Sequence, residues 1–102
     1  MNKAVFLDRD GVINQEIGDY VYKIEDFKFN TGLFTGLRLL QEYDYKLIIV
    51  TNQGGIAKGR YTLHDMNELH NFMLEKLLEE GIEIDDIFFC PHHHTIAPCL
   101  CR

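Results

Sequence analysis

The chain has 102 residues and a mass of 11.9 kDa, the length of one small domain with one core. Apolar residues make up 46% and charged residues 25%, ordinary globular values that exclude a mainly disordered or fibrous chain. Sixteen acidic against ten basic residues leave a net charge of −6, which argues against nucleic acid or an anionic membrane as partner, yet allows a local basic pocket for one small phosphorylated molecule.

In chain order, Lys3–Leu7 is an apolar run of strand length that stops at Asp8. It is too short for a signal peptide, and no run approaches the roughly 18 residues of a membrane span, so a cytoplasmic setting is expected. From Gly11 to about Ile24 there is no period, and Gly18-Asp19 marks a flap or hairpin, with Phe27 and Phe29 as a short extension. Leu33, Leu37 and Leu40 predict a helix from Gly32 to about Tyr43. Lys46–Val50 predicts a second strand, and Thr51–Tyr61 a glycine-containing loop. Thr62 looks like an N-cap, with Asp65 in a loose capping box. Met66, Leu69, Met73 and Leu77 line one face of the helix that follows, and Gly81 suits its C-cap. His64 and His70, off that stripe, read as solvated, and Glu79-Glu80 and Asp85-Asp86 as surface charge. Ile82–Phe89 predicts a third strand, ahead of an irregular tail.

Strands alternating with helices predict an α/β fold with a parallel sheet. Two right-handed crossovers would set the order three-two-one and put both helices on one face. Ala4–Leu7 and Leu47–Val50 are nevertheless apolar on both sides, as in strands covered on two faces. One face is therefore expected to stay bare, and the chain to associate through it.

Two strand ends carry the chemistry. In Leu7-Asp8-Arg9-Asp10-Gly11, extended geometry points Asp8 and Asp10 to one side and Arg9 to the other. Two such carboxylates can divide nucleophilic and proton-carrying work and share a hard cation such as Mg²⁺. The same residues also suit a solvated Asp-Gly turn. In Val50-Thr51-Asn52-Gln53-Gly54-Gly55-Ile56-Ala57-Lys58-Gly59, the Thr51 hydroxyl and glycine backbone N–H groups suit phosphate oxygens, with Lys58 adding charge. A plain flexible loop is the alternative. Cys90, Cys99 and Cys101 cluster in the last 13 residues, which points to metal or free thiols rather than a disulfide framework. Cys90 and His92 with Cys99 and Cys101 suffice for a closed Zn²⁺ site, and His93 or His94 could replace His92.

These strings resemble motifs one and two of the haloacid dehalogenase (HAD) superfamily of phosphohydrolases. Within it the chain is similar to the heptose-bisphosphate and histidinol-phosphate phosphatases. Tyr20-Val21, Phe27-Lys28-Phe29 and the zinc loop at 90–101 fit the same group, so the resemblance runs from about Lys3 to Arg102. It implies a three-layer Rossmann-like fold, one domain present as its N-terminal portion, with a flap at about 11–30. It also implies that Asp8 is a nucleophile forming an aspartyl-phosphate and Asp10 the acid and base. Mg²⁺ would sit on the Asp8 carboxylate and the Asp10 main-chain carbonyl. Thr51 would hold the transferring phosphoryl group, while Asn52, Gln53, Lys58, Asp19, Tyr20 and Arg102 would meet the substrate. Cys90, His92, Cys99 and Cys101 would hold a structural Zn²⁺. The expected substrate is a small sugar phosphate, foremost D-glycero-D-manno-heptose 1,7-bisphosphate, with histidinol phosphate as the alternative. The motif-three lysine and acidic motif four lie beyond the position of Arg102 in that family. The 102 residues alone are thus expected to be inactive, or to serve as a zinc-stabilised binding or assembly module.

Overall fold

The computed structural model describes residues 3–90. Strands β1 (Lys3–Leu7), β2 (Tyr45–Asn52) and β3 (Asp86–Cys90) form a parallel sheet in the order β1-β2-β3. Parallel neighbours need a crossover, and α1 (Leu33–Glu42) and α2 (Leu63–Glu79) supply the two. Val5 pairs with Leu47 and Leu7 with Ile49, while Ile49 pairs with Ile87. Because the side-chain period is two, these residues share one face, and it meets Leu37 of α1 and Leu69, Met73 and Leu77 of α2 in the core. The other face carries Phe6, 67% exposed, and Phe88, 52% exposed. Among the described residues, both helices cover one face of the sheet and the other is bare.

The helix ends explain the element boundaries. Thr62 caps α2 by accepting from the Asp65 N–H (3.0 Å) while the Asp65 carboxylate accepts from the Thr62 N–H (3.0 Å), a complete capping box. At the other end Gly81, at φ +78°, allows a Schellman turn in which Gly81 N–H donates to Leu78 and Ile82 N–H to Leu77. That turn corrects the expected start of the third strand. Ile82 is buried in the core with its N–H already used, and Asp85 caps the sheet by accepting from Leu47 N–H (2.7 Å). Pairing begins only at Asp86. Asp85 is thus more than surface charge. β2 is also longer than expected, because β3 pairs with Thr51 and Asn52. Arg38 of α1 reaches Glu80 (2.6 Å) and Gln41 exchanges hydrogen bonds with Gly81 and Glu83, tying the helix C-terminal ends together.

The stretch from Gly11 to about Ile24, expected as a flap or hairpin, forms no hairpin. Three backbone N–H groups, from Val12, Ile13 and Asn14, converge on the Arg9 carbonyl, and Gly11 at φ +89° makes the turn possible. Asn14 then bridges Phe29 antiparallel, flanked by Gln15 N–H to Lys28 and Asn30 N–H to Ile13. The intervening loop holds one 3-10 turn, Ile24–Asp26. Ile13, Val21 and Phe27 pin it to the core, Phe27 lying edge-on to Phe72 of α2.

Candidate active site

The C-terminal ends of β1 and β2 lie side by side, which brings Asp8, Arg9, Asp10, Thr51 and Asn52 around one cavity of about 160 Å³. A neighbouring cleft of about 410 Å³ is walled by Asp10 and Asn52 again, together with Glu16, Asp19 and Tyr20. Asp8 leaves the strand exposed, whereas Arg9, one step on, turns inward and is 1% exposed.

A buried guanidinium must have its donors satisfied, and those of Arg9 define the site. Its Nη2 donates to Asp10 Oδ1 (2.8 Å) and to the Val21 carbonyl (2.7 Å), its Nε lies 3.2 Å from the same carboxylate oxygen, and its Nη1 lies 3.2 Å from His70 Nε2. Asn14 Nδ2 adds a further bond to Asp10 Oδ1 (3.0 Å). One oxygen of Asp10 is thereby anchored by two side chains, leaving Oδ2 for other chemistry. His70, read as solvated from the sequence, is buried. Burial first, and then the Arg9 charge, push its pKa down to about 4. It is neutral at pH 7 and accepts from Arg9 through Nε2, so the ring proton sits on Nδ1.

Thr51 is buried at the end of β2 and accepts from Gln53 Nε2 (2.7 Å), while Gln53 Oε1 accepts from the Tyr61 hydroxyl. Burial raises the Tyr61 phenol to about 12. Tyr61 stacks on Tyr22 (5.0 Å between centroids, 8° between planes) and lies 5.8 Å from Tyr20. Gly55 has no side chain where a Cβ would collide with the Tyr61 ring. The Gly55 requirement is room for an aromatic ring. Arg60 closes the loop over the flap by pairing with both Asp19 oxygens (3.0 and 3.1 Å), and the Arg60 and Lys58 cations lie 5.4 and 5.9 Å from the Tyr20 ring centre.

Of the residues singled out in the sequence, Asp8, Asp10, Thr51 and Asn52 share the cavity, and Asp19 and Tyr20 border the adjoining cleft. Gln53 is buried behind Thr51, and Lys58 sits over Tyr20 outside both cavity walls. His92, Cys99, Cys101 and Arg102 lie outside the described residues. Among the described residues, no cluster of three metal-binding side chains forms. Arg9, His70, Arg60 and Tyr61 were not singled out for the site, and only His70 left a signal: it follows Met66 by four and precedes Met73 by three, which is the buried face of α2.

No protein-family profile matches the chain. It is 48% identical over 105 aligned positions to D-glycero-beta-D-manno-heptose-1,7-bisphosphate 7-phosphatase of Helicobacter pylori strain J99, covering 99% of this chain and 58% of that protein. The protein of that name in Haemophilus influenzae is 45% identical over 93 positions, covering 91% of this chain and 50% of its own length. Among solved structures, D,D-heptose 1,7-bisphosphate phosphatase from B. bronchiseptica, complexed with magnesium and phosphate, superposes with a TM-score of 0.90 at 33% identity, over 98% of this chain and 55% of that one. A candidate HAD-like phosphatase from Mesorhizobium loti superposes with a TM-score of 0.85 at 29% identity, over 99% and 48%. The chain is homologous to these phosphatases and has the haloacid dehalogenase (HAD) fold. Its parallel sheet is the Rossmann-like sheet of the HAD fold, present in part, since the chain spans about half the length of the curated relatives it matches. In this HAD chain the paired carboxylates stand where open α/β sheets bind their ligands, at the carboxyl ends of adjacent strands.

Proposed function

We propose that the protein carrying this chain is a phosphomonoester hydrolase acting on a small sugar phosphate, D-glycero-D-manno-heptose 1,7-bisphosphate, in the cytoplasm. The observation that carries this reading is the convergence of Asp8, Asp10 and Thr51 on one cavity at the ends of β1 and β2. The names of the relatives support the choice of sugar.

An exposed Asp8 oxygen attacks phosphorus, and the bond from phosphorus to the sugar oxygen breaks. Asp10, anchored through Oδ1, gives a proton from Oδ2 to the departing alkoxide. A water then returns a proton to Asp10 as its oxygen attacks the aspartyl-phosphate, releasing inorganic phosphate and restoring Asp8. Thr51 holds the phosphoryl oxygens with Gln53 bonded behind it, and Asn52, Asp19, Tyr20, Lys58 and Arg102 serve the substrate.

The oxygen donors fit a hard cation. Among the described residues three backbone N–H groups donate to the Arg9 carbonyl and none to that of Asp10, which leaves the latter open beside the Asp8 carboxylate. These two groups would hold Mg²⁺, which when bound neutralises charge on the transferring phosphoryl group. The family resemblance further proposes Cys90, His92, Cys99 and Cys101 as the ligands of a structural Zn²⁺, checked by elemental analysis of the purified protein. The bare sheet face would take a further protein surface.

The test is turnover of the intact protein with heptose bisphosphate and Mg²⁺. Asp8→Asn should lower kcat by orders of magnitude, because an amide cannot replace the attacking carboxylate. Near-normal turnover in that variant would sink the mechanism.

A further inference from the structure

We propose that Tyr61 and Gln53 are positioning residues that set the direction of the Thr51 hydroxyl, so that its proton is presented to a phosphate oxygen in the cavity lined by Asp8 and Asp10. The proposal deepens the phosphatase reading and rests on it.

The argument is one of hydrogen-bond polarity. A hydroxyl has one proton to give, and whether Thr51 attracts or repels an anion depends on where that proton points. Two carboxylates already line the cavity. An inward-turned hydroxyl would show the phosphate only lone pairs. Gln53 Nε2–H donates to Thr51 Oγ1 at 2.7 Å, which fills a lone pair and leaves the proton to go elsewhere. Thr51 is 5% exposed and lines this cavity together with Asp8 and Asp10.

The polarity of Gln53 is the weak point of such a device, because an amide turned end for end fits the same space. With Oε1 toward Thr51, the amide would draw the hydroxyl proton inward. Tyr61 prevents this. Its hydroxyl donates to Gln53 Oε1, inside a site where Gln53 is 1% and Tyr61 5% exposed. The phenol keeps its proton through the physiological range, since burial raises it to about 12. Reversing the amide would put Nε2–H against a phenol oxygen and strand the phenol proton without its acceptor, at the cost of an unpaired buried donor. Tyr61 is itself fixed by stacking on Tyr22 and by the space at Gly55. The direction of the Thr51 proton is thus set, through two side chains, by aromatic packing against the flap.

The experiment measures inorganic phosphate binding by calorimetry, with Mg²⁺, in the intact protein and its variants. Gln53→Glu keeps the size but can only accept, so it takes the protons of both Tyr61 and Thr51. It should weaken phosphate binding about tenfold or more, as expected for losing a hydrogen bond to an anion. Tyr61→Phe keeps the stacked ring and frees the amide to turn, and should weaken binding severalfold. It decides the matter should the buried glutamate prevent folding. In a Thr51→Val background neither change should weaken binding further, a non-additivity that a general structural role would not produce. Variants within twofold of the parent, or losses that add to that of Thr51→Val, overturn the proposal. Turnover of heptose bisphosphate, measured in parallel, reads the function separately. A parent that binds phosphate without turnover sinks the function alone, turnover with unaffected variants sinks the relay alone, and a parent that does neither sinks both.

Discussion

Arg9 and His70 show how a buried charge organises a site at the scale of single residues. The guanidinium joins the carboxylate of Asp10, the flap carbonyl of Val21 and a helix imidazole, three segments distant in sequence. The consequence for pH follows from its sign. His70 in the folded protein holds its proton only below about 4, against 6.5 when unfolded. Between those values the unfolded chain binds more protons, so stability falls as pH drops from 6.5 toward 4. The shift corresponds to roughly 3 kcal/mol once fully expressed. His70→Gln retains an acceptor for Arg9 but does not titrate, so the difference between the urea midpoints of the two proteins should shift in favour of the variant as pH falls from 7 to 4.5. An unchanged difference would show that His70 is not held neutral. The facing of Asp8 and Asp10 was legible because strand geometry alternates every residue. The Arg9 contacts were not, since they depend on which helix residue and which flap carbonyl arrive from elsewhere. Gln53 and Tyr61 escaped for the same reason, being joined only by the fold of their loop.

At the scale of elements, local rules located most boundaries. The N-terminus of α2 was readable from Thr62 and Asp65 because a capping box is a contact within four residues. Thr62→Ala should cost about 1 kcal/mol of stability in thermal unfolding. The Asp65 carboxyl, held below its ordinary range first by the Thr62 backbone N–H, should lose part of that effect in the variant, visible as an upward pKa change by NMR. A Thr62→Ala protein as stable as its parent would show that the cap is idle. The start of β3 was misplaced because apolar Ile82 and Ile84 look like strand residues. They instead pack beneath the sheet after a Schellman turn, and only the tertiary register says where pairing begins. The flap had no period to read, and its order comes from carbonyls and rings outside it.

On the scale of the whole molecule, the one-sided sheet was foreseeable from strands apolar on both faces. Phe6 and Phe88 stand exposed beside the half-buried Ile48 and Val50 on the uncovered face, a contiguous apolar surface that soluble monomers seldom present. The 102-residue chain should therefore sediment above its 11.9 kDa monomer mass, increasingly so at higher concentration. Phe6→Lys with Phe88→Lys should move it toward the monomer. A sharp monomer at all concentrations in the unmutated chain would refute the association.

The parallel register carries a further consequence, in time rather than space. Lys3 pairs with Tyr45, and Ile48 with Asp86, so each ladder closes a loop of about forty residues. A ribosome adding about 5–20 residues per second delivers β1 some seconds before any partner strand exists. During that wait Ala4–Leu7 is an apolar ribbon with unpaired backbone on both edges, the kind of segment that chaperones bind and that neighbouring nascent chains can capture. The Asp-Arg-Asp run directly behind it places three charges next to the ribbon, so the residues that build the site also discourage its aggregation while it is being made.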